Sequence, residues 1–407
     1  MAVNVLFLSP SYPREMPHFT RGLAEVGVRV WGVGDQPAHA LPEEVRRYLS
    51  DYLQVPRLLD EDDLVERTSH WLRGRSVHHV ESLWEPLMVA AARIRQQLQI
   101  PGMTPEHVMD FRDKQRMKER VASAGIRVPY AHRVRSTSEI RHAAEKIGYP
   151  LILKPIAGAG SADTYRINSS QELEQVLPRV QHIPEFSCEE FIDGREFTFD
   201  ALCLEGEPLL VSVTEYLPRP LIMRTNEWIS PIQITIRDLR QPHLAPGLQM
   251  GHQVLKAMQM QTGFVHMEWY LTSKSEAVFG EIACRPGGAY IVDQMNFSND
   301  IDLFREWARV RCHQTFHAPT ERPYNVAAIF KRAQGQGHIR AIHGLQQFRE
   351  QCGPWLCADH LLPVGAPRRD WKQTLLSDGV LIVRHPDWDT TVRMAQMAAT
   401  QIQLFAA

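Results

Sequence analysis

The sequence lacks three features that would direct it to particular classes of protein. Its 45 Lys and Arg residues are balanced by 47 Asp and Glu, so nothing indicates a nucleic-acid partner or an anionic membrane surface. No apolar run approaches the length of a membrane span, and no charged segment precedes the apolar start. The six cysteines are scattered without a C-x-x-C pair, which favours reduced thiols and a cytoplasmic location.

Residues 1–100 carry the pattern of a Rossmann-like domain. An apolar strand at 3–8, a helix that stops at Gly27 and an alternating strand from Val28 are typical of a βαβ unit. Asp35 ends the second strand, where a dinucleotide-binding fold places its ribose acid. No G-x-G-x-x-G follows the first strand, so an NAD site is poorly supported. Pro101-Gly102 indicates the domain edge.

Lys154 ends an apolar strand and precedes a loop of small residues that includes Gly158, Gly160 and Ser161. Small residues let backbone N–H groups approach phosphate oxygens, and the lysine adds a point charge. This is a phosphate cradle in outline, although a mobile surface loop beside a snorkelling lysine explains it equally well. It is not a Walker motif, because Gly-Lys-Ser/Thr in that order is missing.

The segment 188–202 is predicted to be a β-hairpin turning at Asp193-Gly194, the favoured two-residue turn chemistry. Glu189 and Glu196 lie on either side of that turn, either as a solvated edge or as the lining of a nucleotide's base and sugar. The segment 216–246 holds five prolines and is predicted to be irregular. Three of its residues either reach a pocket or are scattered over the surface: Arg224, Trp228 and His243.

Two acids, Glu268 and Glu281, occupy two short apolar runs within 264–288, and a turn at 272–277 would place them opposite each other. Like charges facing each other across a sheet are destabilising unless a cation lies between them. A few carboxylate oxygens suit Mg²⁺ that arrives with a nucleotide's phosphates. Arg285 and the backbone of Gly288 follow directly, and together these groups indicate a site for phosphate chemistry.

Seven motifs then occur in one order. They are Asp113-Lys114, Leu153-Lys154-Pro155, the loop 158–161, Glu189-Glu190-Phe191-Ile192, Gly194-x-Glu196, His266-x-Glu268 and Glu281-x-x-x-Arg285-Pro286-Gly287-Gly288. In this order and at these spacings they resemble the ATP-grasp superfamily, and most of all its carboxylate–amine ligases of the L-amino acid ligase type. Each motif is weak alone, and the ordered set is specific. The resemblance is strong over 98–288 and holds only in outline outside it.

The resemblance implies an α/β fold of ATP-grasp architecture. It would comprise a Rossmann-like domain at 1–100, a two-lobed α+β ATP-binding core at 101–318 and a small α+β domain at 319–407. The first lobe, 101–188, would include the lid, and 189–318 would form the second lobe.

The resemblance also implies a role for each matching residue. The phosphates of ATP would meet Lys114, Lys154 and the lid residues Gly158, Gly160 and Ser161. Adenine would lie against Glu189, Phe191 and Ile192, and Glu196 would hold the ribose. Mg²⁺ would bind Glu268 and Glu281, while Arg285 and Gly288 would be catalytic. The family often has Asn where this sequence has Ala283, so one metal ligand is missing.

The implied reaction activates a carboxylate as an acyl phosphate and joins it to an amine, with small molecules such as amino acids as partners. The family commonly dimerises, so a homodimer is expected. Two alternatives stay open at this point: an ATP-grasp enzyme that uses bicarbonate or formate, and a nucleotide-binding protein without turnover. The substrates themselves cannot be read from the sequence.

Overall fold

The structure is a computed structural model that describes residues 3–156, 163–374 and 376–407. Within these ranges the chain folds into four β-sheets with helices packed against them. No helix in the described part is both long enough and apolar enough to cross a membrane. The phosphate-loop residues Gly158, Gly160 and Ser161 lie outside the described residues.

The first sheet is parallel, with the strand order β3-β2-β1-β4. Strand β1 pairs with β2 on one side and β4 on the other, so the order of strands reverses at β1. In open parallel sheets, ligands bind beyond the carboxyl ends of the strands at such a reversal. The elements are β1 Asn4–Leu8, α1 Met16–Glu25, β2 Arg29–Gly34, α2 Glu43–Arg46, β3 Leu49–Gln54, α3 Glu61–Trp71, β4 His79–Glu81 and α4 Met88–Gln97.

The second sheet is antiparallel, with the order β5-β8-β6-β7. Ser136-x-x-Glu139 and Ser169-x-x-Glu172 have the spacing of capping boxes, and each begins a helix. Ser136 accepts a hydrogen bond from the backbone N–H of Glu139, and Ser169 accepts one from that of Glu172. The elements are α5 Pro105–Asp110, α6 Lys114–Ser123, β5 Ala131–Val134, α7 Thr137–Ile147, β6 Leu151–Pro155, β7 Tyr165–Ile167, α8 Ser170–Val180 and β8 Phe186–Glu190.

The third sheet is the largest, with the order β14-β13-β9-β11-β12-β15-β19-β18 and β10 paired to β9. Long antiparallel pairings join β9 to β13 and β13 to β14. The elements up to residue 313 are β9 Gly194–Leu204, β10 Glu207–Ser212, β11 Thr214–Leu217, α9 Pro220–Thr225, β12 Ile232–Thr235, α10 Ala245–Ala257, β13 Gly263–Thr272, β14 Ala277–Ala283, α11 Ile291–Asn299 and α12 Leu303–His313.

The last ninety residues contribute to two sheets. Strands β15, β18 and β19 extend the third sheet, and β16, β20 and β17 form a small sheet in that order. The predicted domain boundary at residue 319 therefore falls within a chain whose sheet continues across it. The elements are β15 Asn325–Phe330, β16 Gln334–Gly335, β17 Ile339–His343, α13 Leu345–Cys352, β18 Leu356–Asp359, β19 Val380–His385, α14 Trp388–Gln401 and β20 Gln403–Ala406.

Two local predictions are wrong. The segment 188–202 is not a hairpin, because β8 pairs within the second sheet and β9 within the third. Asp193-Gly194 ends a short connection between sheets, since turn chemistry permits a change of direction without choosing the partner strand. The segment 216–246 is more regular than predicted, because Ile232–Thr235 is a buried strand between β11 and β15.

Helix α10 packs closely on the apolar face of the third sheet. A Cβ atom built on Gly247 would lie 2.2 Å from the Trp269 ring, and one on Gly251 would lie 2.5 Å from the Phe199 ring. Both rings are fully buried. The two glycines therefore let the helix approach the sheet at a distance that larger residues forbid.

The Gly247→Ala variant should lose about 1–3 kcal/mol of unfolding free energy, because the new methyl group forces the buried Trp269 ring to move. Urea denaturation followed by fluorescence measures the change. Gly353→Ala is the matched control, since its Cβ would meet open space and its φ is −50°. Equal midpoints for Gly247→Ala and the wild type would contradict the packing described here.

Candidate active site

One face of the strands β9, β13 and β14 is polar and the opposite face is apolar. Alternation places Phe197, Phe199 and Trp269 in the apolar core, and their sequence neighbours face the other way. The polar side chains are Glu196, Thr198 and Asp200 on β9, His266, Glu268 and Tyr270 on β13, and Glu281 on β14. The third sheet thus separates a hydrophobic core from a cluster of titratable groups.

Glu268 lies directly opposite Glu281 across the hairpin, as the alternation predicts. The register shifts immediately after this pair, between Glu268 and Trp269, and Gly280 lies at the irregularity. A Cβ on Gly280 would lie 2.7 Å from the carbonyl oxygen of Glu268, so the close strand approach needs glycine there. Two carboxylates are held face to face by backbone geometry alone.

Lysines compensate the charge of Glu281. Lys114 Nζ lies 3.4 Å from Glu281 Oε2, and Lys118 and Lys154 act on the same carboxylate. Burial raises the pKa of Glu281, but these three ammonium groups lower it to about 2. Glu281 is therefore ionised throughout the physiological range.

Glu189 joins the same cationic cluster from β8. Lys118 Nζ lies 2.7 Å from one of its oxygens and Lys154 Nζ lies 3.1 Å from the other. Although burial raises the pKa of Glu189, the two lysines lower it to about 2. Burial lowers the pKa of Lys118 to about 8. Since the Glu189 side chain is occupied by lysines, only its backbone is left for the predicted contact with adenine.

His266 is the cation beside Glu268. Its Nδ1 lies 2.7 Å from Asp200 Oδ1, and its Nε2 lies 3.7 Å from Glu268 Oε1. Burial lowers the pKa of His266, but Asp200 and Glu268 raise it to about 10. The Tyr216 hydroxyl donates a 3.4 Å hydrogen bond to Glu268. Glu268 is thus positioned by two side chains.

The predicted base and sugar residues lie at the other end of the polar face. Phe191 has the guanidinium groups of Arg166 and Arg219 over its ring, at 4.1 and 5.1 Å from the centroid. Ile192 is buried next to it. Glu196 accepts a 3.2 Å hydrogen bond from Arg219, and burial, with the charge of Glu268, raises the pKa of Glu196 to about 8.

Arg285 reaches the site from the end of β14 and is held by a residue of the first sheet. Its Nε and Nη2 donate to Glu85 Oε2 at 2.8 and 2.5 Å. Glu85 follows β4, beside the point where the strand order of the first sheet reverses. A side chain at Gly288 would meet open space among the described residues. Arg285 and Gly288 therefore lie near the carboxyl end of β4, on the side where a parallel sheet places its ligands.

Lys118, Glu85 and Arg219 are among the residues of this site that the sequence reasoning missed. Lys118 follows Lys114 by one helical turn on the same face of α6, so the i, i+4 spacing was a usable signal. Glu85 and Arg219 have no local signal. Their partners, Arg285 and Glu196, are 200 and 23 residues away along the chain.

Two opposed carboxylates fit Mg²⁺, a cation that is commonly bound through one or two carboxylates together with substrate phosphates. The described residues contain no group of three or more His, Cys, Asp or Glu placed to hold a metal ion. Ala283 lies opposite His266, so the position of the missing Asn ligand faces an imidazole. The donor set thus suits a metal ion that arrives with phosphates.

Residues 147–293 match the family model described as an ATP-grasp domain. The chain therefore carries an ATP-grasp domain, and β6, β8, β9, β13 and β14 fall within it. This is the domain that the ordered motifs predicted.

Comparison with individual proteins points to ligases. The chain is 25% identical over 282 residues to the L-arginine-specific L-amino acid ligase of Bacillus subtilis, covering 68% of this chain and 67% of that protein. It spans less than two thirds of the length of other curated relatives. The chain is thus related to enzymes of the ATP-grasp ligase type.

Solved structures share the whole fold. The L-amino acid ligase from Bacillus licheniformis superposes with a TM-score of 0.81 at 17% identity, covering 100% of this chain and 99% of that one. The biotin carboxylase domain of Hydrogenobacter thermophilus 2-oxoglutarate carboxylase, solved with MgADP and bicarbonate, gives 0.69 at 16% identity, covering 99% and 92%. The ATP-grasp fold therefore extends over the full chain.

Glu189→Gln should flatten the acid limb of the stability curve. The pKa of Glu189 in the folded protein, about 2, lies below its ordinary value of 4.5. Its contribution to the free energy of unfolding is therefore fully present above pH 4.5 and is lost as the pH falls toward 2. Between pH 4.5 and 2.5 the wild type should lose on the order of 2–3 kcal/mol more unfolding free energy than the variant, since each pH unit corresponds to about 1.4 kcal/mol. Urea titrations at several pH values measure this.

The same substitution at the exposed hairpin turn, Glu276→Gln, is the control and should keep the wild-type slope. If Glu189→Gln and Glu276→Gln lost stability in parallel on acidification, the buried lysine–glutamate cluster would not be the acid-sensitive element.

Proposed function

We propose that this protein is an Mg-ATP-dependent ligase that activates a carboxylate as an acyl phosphate and joins it to an amine, releasing ADP and phosphate. The observation that carries the proposal is the cluster of three lysines around Glu189 and Glu281, with Glu268 opposite and Arg285 beyond. Phosphoryl transfer asks a protein mainly for positioning and charge neutralisation, which such a cluster supplies. Its position within an ATP-grasp domain supports ATP as the phosphoryl donor.

The lysines prepare the site for the phosphates of ATP. Lys114 pairs with Glu281, and Lys154 pairs with Glu189. Phosphate oxygens would compete for the same ammonium groups and leave Glu281 free, together with Glu268, to hold Mg²⁺. Bound there, Mg²⁺ supplies charge neutralisation on the transferring phosphoryl group. His266 and Tyr216 keep Glu268 oriented throughout.

The chemistry then needs two displacements. A carboxylate oxygen of the substrate attacks the γ-phosphorus, the bond to the β–γ bridging oxygen breaks, and ADP leaves. The amine attacks the acyl carbon, loses a proton, and expels phosphate to leave an amide. Arg285, fixed by Glu85, provides a stationary cation for the oxyanion of the second step, with the Gly288 N–H beside it.

The Glu281→Gln variant should reduce turnover at least about a hundredfold, because the carboxylate that would hold the metal is lost while side-chain size is kept. Phosphate release is measured with Mg-ATP over a matrix of carboxylic acids and amines, including bicarbonate and formate. Glu276→Gln, on the same hairpin, is the matched control and should retain wild-type rates. If no acid–amine pair stimulates phosphate release by the folded wild-type protein, the ligase reaction is contradicted. Phosphate release with bicarbonate alone would instead favour a carboxylase reaction.

Lys154→Ala should weaken ATP binding about tenfold or more, because the lysine would donate a charge-assisted hydrogen bond to a phosphate. Calorimetric titration with a non-hydrolysable ATP analogue measures the dissociation constant without turnover. Lys274→Ala, which removes an exposed lysine in the hairpin turn, should bind as the wild type does. Unchanged affinity in Lys154→Ala would remove this lysine from the phosphate site.

A further inference from the structure

Three arginines near one another, Arg224, Arg332 and Arg369, form no ion pair with an acid in the described structure. Among the described residues no carboxylate oxygen lies within 4.0 Å of the side-chain nitrogens of Arg224, Arg332 or Arg369. Arg368, by contrast, pairs with Glu227. Arg224 and Arg332 are also half-buried, where an unpaired guanidinium is costly unless an anion joins it.

Hydrogen bonds to backbone carbonyls and to Ser377 hold two of these arginines in place. Arg332 Nη1 donates to the carbonyl oxygens of Met223 and Asn226, at 2.9 and 2.7 Å, which brings it against the helix that carries Arg224. Arg332 Nε also donates to Ser377 Oγ at 3.3 Å, and Arg369 Nη1 donates to the Ser377 carbonyl at 3.1 Å. Ser377 thus lies between two of the three guanidinium groups.

A buried carboxylate fixes the backbone on both sides. Asp378 is fully buried, and its two oxygens accept hydrogen bonds from the N–H groups of Ala333 and Arg369, at 2.8 and 2.7 Å. Both oxygens are therefore engaged by backbone N–H groups, and the nearest arginine nitrogen is Arg368 Nε, 3.8 Å from Oδ2. Arg332 rests on the Trp371 ring, 4.6 Å from its centroid, which restricts it further.

One member of the arginine group lies near the segment that follows Arg285. Tyr290, five residues after Arg285, has the Arg14 guanidinium 3.8 Å over its ring, and Arg369 is close enough to act on its hydroxyl. Arg14 follows β1, at the same reversal of the first sheet that places Glu85. Burial lowers the pKa of Arg224, and Asp163 is the acid that counteracts this effect. Arg369 thus lies near the segment that follows Arg285.

The phosphates of ATP already have the lysine cluster, so a further anionic group is needed to explain the arginines. We propose that one substrate is a small dicarboxylate whose non-reacting carboxylate is bound by Arg224, Arg332 and Arg369. The guanidinium fork matches a carboxylate in shape as well as charge. This inference rests on the proposed function, because it names the class of one of its substrates.

Binding in the presence of MgADP tests the inference without turnover. Matched pairs differ by one charge: glutarate against valerate, and L-glutamate against L-glutamine. At least one diacid should bind about tenfold or more tightly than the partner that lacks its second carboxylate, as expected when a charged hydrogen bond is gained. Isothermal titration calorimetry measures both members of each pair.

Arg224→Gln is the informative variant, because no hydrogen bond ties this side chain to the fold in the described structure. It should remove most of the diacid preference, and Arg224→Lys should restore part of it. Arg240→Gln, on an exposed arginine paired with Asp238, should change neither member of a pair. The affinity for MgADP should stay the same in all three variants.

Equal affinity for diacids and for the partners that lack the second carboxylate, or no detectable diacid binding, would overturn the inference. So would an Arg224→Gln variant that weakens MgADP and leaves the diacid preference intact, since the arginine would then serve the nucleotide. Diacid binding without phosphate release would leave this inference standing and defeat the ligase reaction. Phosphate release with monoacids alone would do the reverse.

Discussion

The structure depends on two glutamates that face each other across a hairpin in a largely buried place. Their repulsion is offset by cations from three segments: Lys114 and Lys118 on α6, Lys154 on β6, and His266 on β13 itself. The four cations come from three different elements, so the charge balance exists only when the second and third sheets have docked. The site is consequently also a joint between two lobes.

This arrangement changes the meaning of the opposed acids. From sequence, a cation between them pointed to a metal alone. In the folded protein lysines and an imidazolium already neutralise both acids, so a nucleotide with its metal exchanges one set of partners for another. Such an exchange costs less free energy than burying carboxylates without cation partners until the nucleotide binds, since here the carboxylates are neutralised before and after binding.

Sequence reasoning succeeded where the physics is local. Strand alternation and a tight turn sufficed to place Glu268 opposite Glu281, and Ser136 and Ser169 cap helices as their spacing predicts. It failed where the partner is chosen at long range. Asp193-Gly194 has the residues of a hairpin turn, yet β8 and β9 join different sheets. No sequence feature near Arg285 indicates that Glu85 is its partner.

The continuation of the third sheet into the last ninety residues bears on how the chain is made. Strand β12 pairs with β11 on one side and with β15, about ninety residues later, on the other. During synthesis a ribosome would release the nucleotide-binding strands well before β15 and β19 emerge, and β12 would meanwhile present an unpaired apolar edge. The slowest part of folding should therefore be the docking of these late strands, a long-range pairing that local signals cannot hasten.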